Sequence, residues 1–169
     1  MHSENERRAN EWKHEITIAR AQWPEGPWSS EPDRIEWRHK GAPCLMVRSV
    51  TTGAWCGYAG VTRDHPYHGK PPEDLDHLAA HGGINFASPC VGPICHVPEP
   101  GESDDVYWIG FDCAHGFDDQ PMFHYMERKY GVETPLALRR LYGGRMRYRD
   151  VAYVKAQVER LAEQLASSQ

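Results

Sequence analysis

Trp108-Ile109-Gly110-Phe111-Asp112-Cys113-Ala114-His115 is an apolar run that ends in a carboxylate and, three residues later, an imidazole, with Asp118 three residues further on. Polar side chains at the end of a buried strand are costly to strip of water, so their place there points to a site. A second stretch, His81-Gly82-Gly83-Ile84-Asn85-Phe86, sets polar groups and glycines against strand-forming residues in the same way. The D-x-x-H-x-x-D spacing, on a turn or short helix, brings two or three side chains to one side. Three chemistries fit it. Asp112 orients a histidine acting as general base, with His81 and His115 as the catalytic candidates. The set binds a metal together with His81. Or Asp112 takes ligand hydroxyls, as carboxylates do with ribose in dinucleotide sites. The structural alternative is a carboxylate serving loop amides and a histidine serving a carbonyl.

Other residues suit ligand contact. Asn85 can hydrogen-bond a base or a carbonyl, Asp118 extends the acidic set, and Tyr58 and Trp108 offer faces for stacking on a base. Paired glycines directly after His81 allow a positive φ and close approach, as in a ligand-facing turn; a plain turn or bulge is the alternative. Residues 139–149 hold five arginines and no acid, so this segment carries +5 while the rest carries −10 of the net −5. Guanidinium groups fork onto phosphate oxygens, which makes Arg145 and Arg147 the anion-binding candidates; arginines near a helix C-terminus also simply meet its dipole. His65 and His68 have H-x-x-H spacing, but Pro66 between them removes the helical geometry that makes such spacing a metal signal. Cys90 and Cys95 beside His96 are spaced C-x4-C, wider than the usual zinc pair and without a second pair. No metal ligand is assigned. Phosphate-loop, nucleophile-elbow, H-E-x-x-H and nucleotide-deaminase signatures are absent.

These side chains need a scaffold, and 169 residues suffice for one core but not two. A single domain is expected, with residues 1–30 as an N-terminal helical extension and 31–169 as the core. No apolar run nears the roughly 18 residues of a membrane span, and the polar start lacks a signal-peptide apolar region, which predicts a cytoplasmic protein. The five cysteines, odd in number and unevenly spaced, read as reduced thiols. The acidic balance argues against binding long nucleic acid.

Residues 4–20 read as a helix, then 34–38, 44–50 and 55–61 as strands, with Thr51-Thr52-Gly53 as a tight hairpin. Residues 62–80 form a long loop, 82–87 a strand, 88–105 a Pro/Gly-rich excursion and 106–111 the most buried strand. Thr134-Pro135 opens a helix that Gly143-Gly144 closes, and Asp150 caps a last helix with Val151, Val154, Val158, Leu161 and Leu165 along one face. Helix, strands, then helices without βαβ alternation predict an α+β fold: an antiparallel sheet with the C-terminal amphipathic helix and the N-terminal helix on one side. Trp12, Trp23 and Trp28 have few partners in so small a core, which suggests a homo-oligomer.

Gly57-Tyr58-Ala59-Gly60-Val61, His65-Pro66-x-His68-Gly69, His81-Gly82-Gly83-Ile84, Trp108-Ile109-Gly110-Phe111-Asp112-Cys113-Ala114-His115-x-x-Asp118 and Tyr148-Arg149-Asp150-Val151-x-Tyr153-Val154 resemble a family of small, largely uncharacterised bacteriophage and prophage proteins. The likeness runs from about residue 55 onward. It implies a counter-defence protein, acting in the cytoplasm of a bacterial host, on nucleotide second messengers of immunity. The leading expectation is a binder that sequesters a cyclic dinucleotide or ADP-ribose derivative and needs no cofactor. A hydrolase of the same ligand class, His/Asp-based or dependent on a divalent metal, is the alternative, and a protein-interaction module the second. Chelation separates the first two only in part: a binder survives it, while a hydrolase fails with His81→Ala or His115→Ala even where ligand still binds.

Overall fold

Strands without alternation demand cover on both faces, and that rule organises this molecule. The computed structural model describes residues 4–131, 141 and 146–168. Its order is α1 (Glu4–Ala21), β1 (Arg34–His39), β2 (Ala42–Arg48), β3 (Trp55–Thr62), β4 (Phe86–Pro89), β5 (Val106–Asp112), β6 (Asp118–Asp119), α2 (Pro121–Tyr130), β7 (Arg147–Tyr148) and α3 (Val151–Ala166). The first five strands form one antiparallel sheet in the order β1-β2-β3-β5-β4, and β6 pairs with β7 in parallel. The fold is α+β, as the element order predicts. Of the helix expected from Thr134 to Gly143-Gly144 only Leu141 is described, as helical, and the candidate Arg145 lies outside the described residues.

The two helices do not share a side. Along β2, β3 and β5 nearly every position is buried, and alternate residues feed two separate cores. Met46, Ala59, Ile109 and Phe111 meet Val154, Val158 and Leu161 of α3. Leu45, Val47, Tyr58 and Trp108 meet Trp12 and Ile16 of α1 with Trp28. Only β1, an edge strand, keeps the charged and apolar alternation of a half-wet strand. Close approach of α3 depends on Gly57, where an added Cβ would stand 2.5 Å from Val158 Cγ2. Trp12, Trp23 and Trp28 are 5%, 9% and 2% exposed, so the packing reason for expecting a second copy lapses.

Two further expectations need correction. The strand placed at 82–87 begins only at Phe86, because Gly82 (φ 70°) and Gly83 (φ 87°) turn the chain, closed by Gly83 N donating to the Ala80 carbonyl at 3.0 Å. It then runs on to Pro89, shortening the excursion that follows. Within that excursion Cys90 and Cys95 form a disulfide across the Val91–Ile94 bridge, with Cα atoms 4.7 Å apart, so the reduced state holds for only three cysteines. Those three are buried, and desolvation pushes the thiols of Cys44 and Cys56 up to about 12, which makes them inert packing groups. The described residues include no helix long and apolar enough to cross a membrane.

One buried polar network ties the layers together. Glu31 accepts from Arg48 Nη2 (2.7 Å), Trp55 Nε1 (3.1 Å), Val151 N (2.9 Å) and the Tyr148 hydroxyl. Arg48 also donates to the Gly53 carbonyl at 2.9 Å and lies 4.2 Å from the Trp55 ring centroid. The network fixes the start of α3 and, through Tyr148, the position of the next residue, Arg149.

Candidate functional site

β5 pairs with β3 until Asp112 stands opposite Cys56, and there the buried strand meets solvent. Asp112 Oδ1 accepts the Ala114 amide at 2.9 Å, an aspartate turn that swings Cys113 inward and His115 outward. A second turn follows, with Asp118 N donating to the His115 carbonyl at 2.9 Å. Asp118 then enters β6, whose pairing with β7 sets it beside Arg149. The result is a fully buried carboxylate (0% exposed) a few residues from a strand end.

Every partner of that carboxylate is a nitrogen donor. Oδ2 takes His81 Nε2 at 2.7 Å, His115 N at 3.0 Å and His115 Nδ1 at 3.3 Å, and Oδ1 takes Arg149 Nε at 2.8 Å. Burial alone would raise the pKa of Asp118, but the bonds from His81, Arg149 and the His115 amide outweigh it and hold the acid at about 2. An ionised carboxylate only accepts, so each imidazole bonds it in the tautomer that places the proton on His81 Nε2 or His115 Nδ1. His81 Nδ1 is 2.9 Å from the Tyr153 hydroxyl, which lies in the first turn of α3 above its capping Asp150. The two imidazoles meet edge to face with centroids 5.3 Å apart. His115, with its side chain 35% exposed, turns its remaining nitrogen, Nε2, to a position with no protein acceptor among the described residues. At the rim, Asn85 Nδ2 donates to Asp112 Oδ2 at 2.7 Å, and Asp112 Oδ1 is 3.8 Å from His115 Nδ1.

Glycine at 82 is required by this arrangement. A Cβ there would stand 2.2 Å from His115 Cε1, on a backbone with φ near 70°. Gly82→Ala is expected to cost about 1–2 kcal/mol in thermal or denaturant unfolding through the left-handed backbone alone, and to displace the His115 ring, read as a shift of its side-chain NMR signals. Unmoved His115 signals would show that the turn yields instead of the ring.

No family model, curated protein or solved structure matches the chain. The geometry therefore carries the functional argument. His81, His115, Asp118, Asp112 and Asn85 come together from two separated segments. Tyr58 and Trp108 do not join them: both are buried on the α1 face, whereas His81 packs beside Phe111 and Tyr153 on the α3 face. Alternation along a strand sends these aromatics to the opposite face of the sheet from His81. Arg147 pairs by backbone with Asp118 and leaves its side chain exposed, away from the carboxylate. His65 bonds the Leu165 carbonyl at 2.8 Å and His68 faces Asp105. Leu165 is twelve residues along α3 from Tyr153, about 18 Å at 1.5 Å per residue, so this pair lies at the other end of the helix.

Two site residues were not singled out as candidates in the sequence, Arg149 and Tyr153. Arg149 stacks over the Tyr153 ring at 4.9 Å while holding Asp118. Its signal was present in the arginine-rich segment, where only pairing of β7 with β6 distinguishes it from its neighbours. Tyr153 lies off the apolar stripe of α3, three residues after the cap, where a polar-tipped aromatic at a helix start is the only local cue.

Proposed function

We propose that the protein hydrolyses a nucleotide-type small molecule at the centre formed by His81, His115 and Asp118. One observation carries this reading: two imidazoles are oriented by a single fully buried carboxylate at a strand end, an arrangement that capture of a ligand does not call for. Hydrolysis of a phosphoester needs a water oxygen to bond to phosphorus, the bond from phosphorus to the leaving oxygen to break, and the water's proton to reach that oxygen or solvent. The centre supplies a place where water is deprotonated. Arg149, anchored through Nε, has Nη groups that meet no acceptor among the described residues and suit a phosphoryl oxygen. The Asp112–Asn85 pair on the rim suits sugar hydroxyls or a base edge.

The likeness to small phage proteins makes a second messenger of bacterial immunity the first substrate class to try. Purified protein is incubated with a panel of cyclic dinucleotides and ADP-ribose derivatives, heated, and the supernatant chromatographed. A new product, absent with His115→Ala, supports hydrolysis. Intact ligand recovered only after heating overturns it in favour of sequestration.

A further inference from the structure

We propose that His81 Nε2, His115 Nδ1 and Asp118 Oδ2 form a binding site for one divalent transition-metal ion of the zinc class; this deepens the hydrolytic reading above and rests on it for its role. The three donor atoms lie within 4.8 Å of one another, and among the described residues no other group of three does so.

Hydrogen bonding gives the first argument. Three nitrogens stand within hydrogen-bond distance of Asp118 Oδ2, at 2.7, 3.0 and 3.3 Å, while its partner oxygen meets one. A carboxylate oxygen has two lone pairs, so this atom is over-subscribed when both imidazoles point protons at it. A cation in place of those two protons removes the excess: Oδ2 then serves the ion and the His115 amide. Each imidazole must offer a lone pair instead, and both can. His81 moves its proton to Nδ1, where the Tyr153 hydroxyl, donor and acceptor alike, takes it at the same 2.9 Å contact. His115 moves its proton to Nε2, which meets no acceptor among the described residues.

The surroundings give a second, independent argument. Metal-binding imidazoles characteristically hand their other nitrogen to a fixed partner, and ligating carboxylates are themselves hydrogen-bonded. Tyr153 fills the first role for His81; Arg149 and the His115 amide fill the second for Asp118. Exposure rises across the set, from Asp118 (0%) through His81 (11%) to His115 (35%), so the ion has protein behind it and an open side toward solvent. Three protein ligands with an open side describe a catalytic, not a structural, metal site. Two nitrogens and one oxygen suit zinc-class ions and not magnesium or calcium, which prefer oxygen throughout. A dication beside Arg149, against the charges of Asp118 and Asp112, leaves the mouth net positive, which suits a phosphate ester.

The test uses the full chain treated with chelator and dialysed. Cobalt(II) is titrated in, with visible absorption as the readout, and zinc(II) is then added as competitor. One cobalt per chain is expected, displaced by zinc, with affinity at least about tenfold weaker in His115→Ala and unchanged in His68→Ala, which lies elsewhere. His115 is part-exposed, so its removal spares the fold; circular dichroism checks this. Absence of cobalt and zinc uptake by the parent, or equal uptake by His115→Ala, overturns the proposal. Nucleotide cleavage by the metal-free chain overturns the role given to the ion while leaving the hydrolytic reading standing. Stoichiometric metal uptake with no cleavage of any nucleotide sustains the metal site and removes the hydrolytic reading.

Discussion

His115→Ala is expected to slow cleavage of the nucleotide substrate by about 10²- to 10⁴-fold, the span associated with losing the means by which this centre deprotonates the attacking water. The side chain is 35% exposed and its ring contacts are confined to the centre, so folding stability should stay close to the parent's. The useful result is therefore a split: kcat/KM falls while the melting temperature holds. His81→Ala should show a similar loss with a larger stability cost, because His81 bonds on both ring nitrogens in a mostly buried setting. A full rate in His115→Ala would place the chemistry elsewhere in the molecule.

The largest expected effect on stability belongs to Glu31→Ala, remote from the chemistry. Arg48 has a fully buried guanidinium, and Glu31 is its charged partner at 2.7 Å. Removing Glu31 leaves the buried guanidinium with Asp33 alone, whose Oδ1 is 3.5 Å from Arg48 Nε, and loss of one member of a buried pair typically costs about 3–5 kcal/mol. The same substitution strips acceptors from Trp55 Nε1, the Tyr148 hydroxyl and the Val151 amide. Urea unfolding should show the loss, and a change below about 1 kcal/mol would mean that water takes over the role of the carboxylate. Acid provides a check on sign. Burial raises the pKa of Glu31, but bonds from Tyr148, Val151, Trp55 and Arg48 outweigh it, leaving the net value below the usual 4.5. A folded-state pKa below the unfolded one contributes stability in full above the unfolded value and loses it as pH falls through the folded one. Parent stability should thus decline on acidification below about pH 4.5, and that of Glu31→Gln should decline less.

Much of the scaffold is legible in the residues, for identifiable reasons. Asp150 and the stripe from Val154 to Leu165 announce α3, since one helix face and one cap are local features. Asp112, His115 and Asp118 are legible as a cluster because the D-x-x-H-x-x-D spacing on the turns after a strand end brings their side chains to one side. The faces of the sheet were not legible. β2, β3 and β5 are apolar at successive positions, so nothing local says that Tyr58 and Trp108 turn toward α1 while Phe111 turns toward α3. Arg149 was hidden among similar arginines, because its distinction is the strand pairing that brings it to Asp118. The disulfide escaped notice because a five-residue separation does not disclose the turn that joins Val91 to Ile94.

The outer strands of the sheet have a bearing on how this molecule meets others of its kind. β1 presents Arg34, Glu36, Arg38 and His39 along one margin, and β4, on the opposite margin, is four residues long and ends in Pro89. Charged margins and a strand cut short by proline are the features by which natural sheets discourage strand addition. The sheet therefore terminates itself at both sides, and growth into ribbons or fibrils by continued strand pairing is opposed from either margin. Crowding at high expression should leave this protein dispersed, as long as its two cores stay covered.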